Sequence, residues 1–276
     1  MVDTIKFASE ALPDHIAAAL TRSAGARGVF GASLSYFSEV GSTNDLALRA
    51  AEQGAAEGTV FVAEAQTAGR GRLGRVWFSP PGAGLYVSVI LRRAPTAPWI
   101  TLAGGAAVAE GIRYATALPV ELKWPNDVVI AGQQGFRARR KLAGILAEAA
   151  TAAGGDHYIV LGFGINLRKA ILPPELLDRA TSIEAELGRM VPGGDVLAGC
   201  LMALNTVCED IDRRGVAGVL DRWLEMAPSA SGARVEWDGP SGRVRGVTNG
   251  LALDGALLVR TATGVERILS GEVRWL

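Results

Sequence analysis

The sequence has few of the residues that build metal centres and disulfide frameworks. Its 276 residues include two histidines and two cysteines. So few ligands and general bases argue against a metal cluster and against a histidine-dependent catalytic triad. Cys200 and Cys208 lie eight positions apart in a helical pattern. That spacing puts their Cα atoms about 12 Å apart, too far for a disulfide. A reducing, cytoplasmic setting is expected.

The sequence also lacks a net charge. Its 28 basic and 28 acidic residues cancel, which argues against a broad basic field for nucleic acid or an anionic membrane. Only four of the basic residues are lysines. Because arginine is abundant throughout the chain, a single arginine says little about function, whereas the position of a lysine is a stronger indication of a functional site. Any anionic ligand must be bound by a local cluster of cations.

Long hydrophobic runs are missing as well. No run reaches about 18 uninterrupted apolar residues, and no basic segment followed by an apolar run opens the chain, so neither a membrane span nor a signal peptide is expected. Roughly thirty residues precede the first predicted strand. These are too few for a winged helix-turn-helix domain, so DNA binding is not expected. The hydrophobic content of 49% nevertheless predicts a substantial core and excludes intrinsic disorder.

The hydrophobic pattern predicts an α+β protein. A short amphipathic helix over residues 13–23 falls within an N-terminal extension of residues 1–30, and a second helix covers residues 42–54. Residues 98–118 predict a long, buried helix because this run is apolar on most sides. Residues 1–230 are expected to form one large domain. Its other predicted elements are strands at 34–37, 59–64, 85–91, 120–124, 128–130, 142–147 and 158–161, and helices at 174–187, 195–213 and 216–226.

The composition changes near residue 231. From there short β runs alternate with turn signals at Asp238-Gly239, Asn249-Gly250 and Asp254-Gly255. The candidate strands are residues 235–237, 244–247, 256–259 and 265–269. This pattern predicts a second domain over residues 231–276, a small β-barrel with a core of its own.

A glycine- and arginine-rich segment between two predicted strands carries the clearest chemical signal. Residues 64–77 read EAQTAGRGRLGRVW. Glycines allow the backbone to approach an anion closely, and arginines bind phosphate or carboxylate oxygens in a forked geometry. Because the arginines repel one another, the segment is expected to lack partners until an anionic ligand orders it. The alternatives are an ordinary arginine-rich surface loop and a nucleic-acid-binding segment.

Two lysine-containing segments follow. Lys123 opens KWPND at residues 123–127, where Pro125 predicts an extended turn that gathers Lys123, Asn126 and Asp127. A lysine beside an Asn–Asp pair suits a nucleotide phosphate and Mg²⁺, although this motif taken alone favours a hairpin turn with an exposed ion pair. Lys141 opens KLAGIL and points into either a cleft or solvent, solvent being the commoner arrangement. Residues 132–140, polar and basic, are predicted to form a mobile surface loop.

Taken together, these segments resemble the biotin protein ligases of bacteria, over roughly residues 35–276. The resemblance implies an α+β fold, with a mixed-sheet catalytic domain of the biotin/lipoate ligase type and a small C-terminal SH3-like β-barrel. The chain is expected to lack the N-terminal DNA-binding domain of the repressor-type members, and its 131–140 loop looks longer than usual. The matching motifs are Ser-Thr-Asn at 42–44, Gln66, GRGRxGRxW at 69–77, KWPND at 123–127, KLAGIL at 141–146, GxGIN at 162–166 and, in the tail, Asp254-Gly255-Ala-Leu-Leu and Ser270-Gly271-Glu272-Val273.

The resemblance also implies an activity. Biotin would be activated by ATP and Mg²⁺ as biotinyl-5′-AMP and then transferred to a lysine of a biotin carboxyl carrier protein domain. Arg70, Arg72, Lys123 and Lys141 would be the catalytic residues, and Asp127 would bind Mg²⁺. The residues implied for biotin are Ser42, Thr43, Asn44, Gln66, Arg70, Gly71, Arg72, Lys141 and Gly144, and those implied for ATP are Arg72, Arg75, Trp77, Lys123, Asn126 and Asn166.

Two other functions stay open from the sequence. A lipoate or octanoate ligase or transferase of the same fold would modify a similar carrier domain. A nucleic-acid-binding regulator would instead use the glycine- and arginine-rich segment together with the small barrel. Zero net charge and the missing helix-turn-helix argue against the second of these.

Overall fold

The computed structural model describes residues 9–92, 99–132, 135–152, 154–239 and 242–276. Its centre is a seven-stranded mixed sheet with the strand order β1-β2-β3-β7-β6-β5-β4. The first two strands pair in parallel and the other neighbours are antiparallel. The strands are β1 Leu34–Val40, β2 Val60–Gln66, β3 Gly84–Leu91, β4 Glu121–Lys123, β5 Asp127–Gly132, β6 Gly135–Thr151 and β7 His157–Asn166.

Helices cover both faces of this sheet because alternate residues of its strands are apolar on both sides. Val60 and Val62 of β2 join the larger core beneath α3 and α5, while Phe61 and Ala63 join a second core beneath α2. The central strands are therefore buried on both faces. The helices are α1 Asp14–Arg22, α2 Thr43–Glu52, α3 Trp99–Thr116, α4 Ile183–Leu187, α5 Gly193–Arg214 and α6 Val216–Glu225.

A second, antiparallel sheet follows at the C-terminus, in the strand order β11-β10-β9-β8-β12. Val235, Leu257 and Val273 belong to the same cluster of buried apolar residues as the main core. The segment therefore packs directly against the large domain, and its having a core of its own stays a prediction. Its strands are β8 Ser231–Gly239, β9 Gly242–Leu251, β10 Leu257–Arg260, β11 Val265–Ile268 and β12 Val273–Trp275.

The α+β fold with a mixed sheet and a C-terminal antiparallel sheet is confirmed, whereas the SH3-like character of that second sheet stays a prediction. Residues 1–8 of the N-terminal extension and residues 133 and 134 of the 131–140 loop lie outside the described residues. Cys200 and Cys208 are buried in α5 and form no disulfide with each other, as expected. Within the described ranges, no helix combines the length and apolarity needed to cross a membrane.

Several expected elements differ from the structure. The helix predicted over residues 174–187 is a 3-10 turn at Pro174–Leu176 and the separate helix α4. The chain breaks there because Ser182 is extended and caps α4, its side chain accepting from the Ala185 N–H.

The hairpin regions also differ. The mobile loop predicted over residues 132–140 belongs largely to β5 and β6. Asn249-Gly250 lies inside β9. The turn into β10 is closed by the Ala252 N–H, which donates to the Ala256 carbonyl, and by the Gly255 N–H, which donates to the Ala252 carbonyl. Strand β12 was not predicted.

Candidate active site

All fifteen residues singled out from the sequence line one cavity of about 600 Å³. The cavity opens where the N-terminus of α2, the segment after β2 and the β4–β5 turn meet the face of β6 and β7. The structure thus brings the separate motifs together. The residues are Ser42, Thr43, Asn44, Gln66, Arg70, Gly71, Arg72, Arg75, Trp77, Lys123, Asn126, Asp127, Lys141, Gly144 and Asn166.

One end of the cavity is neutral and hydrogen-bonding. The Gln66 side-chain oxygen accepts from the backbone N–H of Thr43 at 2.9 Å and lies 3.2 Å from its hydroxyl. The hydroxyl of Ser88 lies 2.8 Å from the Thr43 hydroxyl and 2.5 Å from the Asn44 side-chain oxygen. Ser42, Thr43 and Asn44 are buried at the start of α2. A neutral polar ligand group would find both donors and acceptors here.

Ser88 was not predicted from the sequence as a site residue. It is fully buried in the middle of the apolar strand β3. A lone serine in such a strand indicates a polar neighbour, because a buried hydroxyl needs a hydrogen-bond partner. Its role in the structure is to orient the two polar residues that begin α2.

The middle of the cavity has a flat floor built on glycine. Gly144 of β6 pairs with Gly164 of β7, and the indole of Trp77 lies over both. A Cβ at Gly144 would come within 2.7 Å of the Trp77 ring, and one at Gly164 within 2.5 Å of its Nε1. Any side chain at either position would displace the indole. Among the described residues, the buried Nε1 of Trp77 has no hydrogen-bond partner.

The opposite end of the cavity is cationic. Lys141 places its Nζ 2.6 Å from Oδ1 of Asp127 and 4.9 Å from the centre of the Trp77 ring. The solvent-facing alternative for Lys141 is therefore wrong. Its backbone is also held, because its N–H donates to Arg179 and its carbonyl accepts from Thr181. The exposed hairpin ion pair considered for KWPND is wrong too, since Asp127 pairs with a lysine of another strand inside the cavity.

Burial sets the charge properties of two further cations. Desolvation lowers the pKa of Lys123, although the nearby carboxylate of Asp127 opposes that shift. Desolvation likewise lowers the pKa of Arg72. Arg72 lies 3.4 Å from the side-chain oxygen of Asn126, whose own amide donates to the backbone of Ile145 at 2.9 Å. These cations are half-buried, where they would bind phosphate more strongly than in water.

The C-terminal sheet contributes to this end of the cavity. The ring of Trp275 lies 4.8 Å from Nζ of Lys123. Glu272 accepts from Arg75 at 2.7 Å, and this hydrogen bond lowers the pKa of the Glu272 carboxyl. The indole N–H of Trp124 donates to the carbonyl of Gly255 at 3.0 Å. The second sheet thus forms part of the site wall.

The arginines of the glycine-rich segment have partners in the structure. Arg75 binds Glu272, and Arg70 lies 2.9 Å from Asp45 and 2.7 Å from Glu148. The expectation that these arginines lack partners is therefore wrong for both of them. The carboxylates that bind Arg70 and Arg75 lie on other elements of the fold. The sequence around the arginines therefore gave no indication of these partners.

The residues around Asp127 fit a metal ion that is bound partly by a nucleotide. Within the described ranges, no group of three or more His, Cys, Asp or Glu side chains could hold a metal ion. Mg²⁺ in nucleotide sites uses one or two protein carboxylates and completes its shell with phosphate oxygens and water. Asp127, with Asn126 beside it, can supply such a carboxylate. The donor set fits an ion carried by a nucleotide and not a metal caged by protein alone.

Comparison with known proteins gives consistent matches. The model of the biotin/lipoate A/B protein ligase family matches residues 36–166. The chain is 32% identical over 250 residues to the bifunctional ligase/repressor BirA of Bacillus subtilis, covering 89% of this chain and 74% of that protein. It is 30% identical over 239 residues to the biotin–acetyl-CoA-carboxylase ligase of Paracoccus denitrificans, covering 84% and 96%.

A solved structure agrees with these sequence matches. The biotin protein ligase of Aquifex aeolicus, in complex with biotin and ATP, superposes with a TM-score of 0.74 at 30% identity. The match covers 89% of this chain and 99% of that one. The similarity therefore extends through both sheets.

Proposed function

Because this chain belongs to the biotin protein ligases of the biotin/lipoate A/B protein ligase family, we propose that it is an ATP-dependent biotin protein ligase. It forms biotinyl-5′-AMP and transfers the biotinyl group to a lysine of a biotin carboxyl carrier protein domain. The site has the residues that this chemistry requires. The supporting matches to ligases include a structure with biotin and ATP.

One observation carries the proposal: the cavity has a neutral polar end and a cationic end, joined by a flat floor of glycines. Biotin has the same order of groups, with a neutral ureido ring, an alkyl chain and a carboxylate. Ser42, Thr43 and Gln66 would bind the ureido ring. The chain would run alongside the Trp77 indole that rests on Gly144, and the carboxylate would reach Lys141.

The first step joins two anions. A carboxylate oxygen of biotin attacks the α-phosphorus of ATP, the bond to the β-phosphate oxygen breaks, and pyrophosphate leaves. Lys141 would lie between the carboxylate and the α-phosphate, with Gly71 and Arg72 beside the same oxygens. Such positioning and charge neutralisation are the main requirements of phosphoryl chemistry.

The remaining site residues would bind the nucleotide. Lys123 would face the phosphates, Arg75 and Asn166 would border them, and Trp77 would lie between the two ligands because it covers the middle of the floor. An Mg²⁺ ion bound to the nucleotide would meet Asp127 on the protein side and reduce the negative charge of the phosphates. Leu172 and Leu176 line the same cavity and offer apolar contacts for a base.

The second step transfers the biotinyl group. The ε-amine of the carrier lysine attacks the carbonyl carbon of the mixed anhydride, the bond to the phosphate oxygen breaks, and AMP leaves while the amine loses a proton. No covalent enzyme intermediate forms. The scarcity of histidine and cysteine is therefore compatible with both steps.

The neutral end of the cavity favours biotin over lipoate or octanoate. The ureido group offers two N–H donors and a carbonyl acceptor, whereas a dithiolane ring or an alkyl chain would cover the polar groups around Thr43 and Gln66 without hydrogen-bonding to them. A site that hydrogen-bonds its substrate discriminates strongly against analogues without those groups.

Product analysis tests the proposal. Pure protein is incubated with MgATP and, in separate reactions, biotin, lipoate or octanoate, and acyl-adenylates are identified by mass. We expect biotinyl-AMP only. A carrier domain is then added, and the wild-type carrier should gain one biotinyl group, whereas a carrier with its target lysine replaced by arginine should gain none. An adenylate from lipoate with none from biotin would refute the proposal.

A further inference from the structure

The guanidinium of Arg70 does not point at the anion end of the cavity. Its NH2 group lies between two carboxylates, 2.9 Å from Oδ1 of Asp45 and 2.7 Å from Oε2 of Glu148. The Arg70 side chain is 36% exposed and that of Glu148 only 27%, so water screens this contact incompletely. Two negative charges compensate one positive charge, and Arg70 is therefore engaged before any ligand carboxylate arrives.

Glu148 makes a second contact that fixes its position. The same Oε2 atom accepts from the side-chain amide of Asn44 at 2.6 Å. Asn44 is held in turn by Ser88, 2.5 Å from its side-chain oxygen. A short hydrogen-bonded chain thus runs from the middle of β3, through the start of α2 and the strand β6, to Arg70. Every link in it is a direct contact between side chains.

Arg70 lies near the start of a small flap, defined here as residues 69–77. The flap is closed on itself by a backbone hydrogen bond from Gly71 to Arg75 and by another from Trp77 to Gly69. Its far end carries Trp77, which lies over the glycine floor. Arg70 on one side and Arg75, through Glu272, on the other attach the flap to the rest of the protein. The Arg70 contact lies on the same side as the neutral end of the cavity.

We propose that Glu148, assisted by Asp45, is a positioning residue that clamps Arg70 and so holds the flap closed over the biotin side of the cavity. This inference rests on the proposed function and deepens it. The clamp retains the reactive adenylate, whereas the charges that promote its formation are supplied by Lys141 and Arg72. Glu148 need not touch biotin or ATP to act in this way.

Two measurements on the full-length protein test the clamp. The first is the rate at which preformed biotinyl-AMP escapes, measured by chasing bound product with excess unlabelled biotin. The second is the rate of tryptic cleavage after Arg72 and Arg75 in the absence of ligands. Glu148→Gln keeps the shape and an acceptor for Asn44 but removes the charge that binds Arg70. Loss of one charged hydrogen bond corresponds to a change of roughly tenfold or more in the escape rate of the adenylate.

We expect Glu148→Gln to release the adenylate about tenfold faster and to be cleaved faster in the flap, with pyrophosphate release changed by less than about threefold. Glu209→Gln, which breaks an exposed ion pair with Arg213 in α5, is the matched control and should change neither measurement. In an Arg70→Met background, Glu148→Gln should have no further effect, because both changes remove the same contact.

The measured rates distinguish a clamp formed by Glu148 from a direct role of Arg70 in binding the reacting anions. Wild-type escape and cleavage rates in Glu148→Gln would overturn the clamp, as would fully additive effects in the double variant. If Arg70→Met instead slowed pyrophosphate release by about a hundredfold with unchanged escape, Arg70 would be a ligand of the reacting anions and the clamp would be wrong. Should the wild-type protein form no biotinyl-AMP, the proposed function fails, and flap cleavage alone still decides the clamp.

Discussion

The Nζ atom of Lys141 lies 2.6 Å from Oδ1 of Asp127. Lys141 is on β6 and Asp127 begins the neighbouring strand β5, so sheet pairing creates this contact. The Lys141 side chain is 31% exposed and lines the cavity. An ammonium fixed on the sheet beside a carboxylate is well placed to stand between two approaching anions, which leads to the first prediction.

Lys141→Ala should impair adenylate formation far more than folding. Removing a preorganised donor of this type costs on the order of 10²–10³ in rate, or about 3–4 kcal/mol. The assay is pyrophosphate release with biotin and MgATP, measured alongside the melting temperature. Lys169→Ala is a matched control because Lys169 is exposed outside this cavity. A Lys141→Ala rate near that of the wild type would leave the phosphate role to Lys123 and Arg72.

The second prediction concerns pH and Lys123. Burial lowers its pKa below the ordinary value of 10.5, so raising the pH neutralises Lys123 in the folded protein before it does so in the unfolded chain. Between the two pKa values the unfolded state binds more protons, and the contribution of Lys123 to stability therefore increases with pH. Binding to ATP phosphates should decrease over the same window, since it needs the ammonium.

The alkaline decline of kcat/KM for ATP measures this effect. In Lys123→Arg the decline should move to higher pH, because arginine remains protonated throughout. If kcat/KM for ATP declined over the same alkaline pH range in the wild type and in Lys123→Arg, another group would cause the decline.

The third prediction concerns the contact between Trp275 and Lys123, which spans 4.8 Å from the ring centre to Nζ. Trp275→Leu should raise the KM for ATP about three- to tenfold because a cation–π contact of this kind is lost, and Trp275→Phe should raise it less. The KM for biotin should not change. Arg274→Ala, a neighbour on the same strand that binds Asp238 instead, controls for general damage to β12. Equal changes in both KM values would indicate such damage.

The fourth prediction concerns removal of residues 231–276. Because the buried core is continuous across both sheets, truncation should expose Trp124 and Met226 and lower the melting temperature of the remainder by about 5–10 °C. The comparison is with full-length Trp124→Phe, which loses the hydrogen bond to Gly255 and part of the buried ring but keeps the second sheet. An unchanged melting temperature after truncation would mean that residues 1–230 fold independently.

Local sequence patterns were sufficient for most elements of the fold. The 13–23, 42–54 and 98–118 helices and the strands of the main sheet carry clear periodic or apolar runs, and the structure forms α1, α2, α3 and β1–β7 in those regions. The fifteen candidate residues line one cavity because their motifs follow or begin sheet strands and start α2. Their individual roles remain predictions.

Only the tertiary structure decided which groups neutralise or orient those residues. Glu148 lies 78 positions from Arg70 and Glu272 lies 197 positions from Arg75, while Trp275 belongs to a strand that was not predicted. Sequence periodicity reports which side of a strand is buried, but it does not report which strand will be the neighbour. The orientation of Lys141, the partners of Arg70 and Arg75 and the continuity of the core all depend on that long-range pairing, so they are fixed only when the sheets assemble.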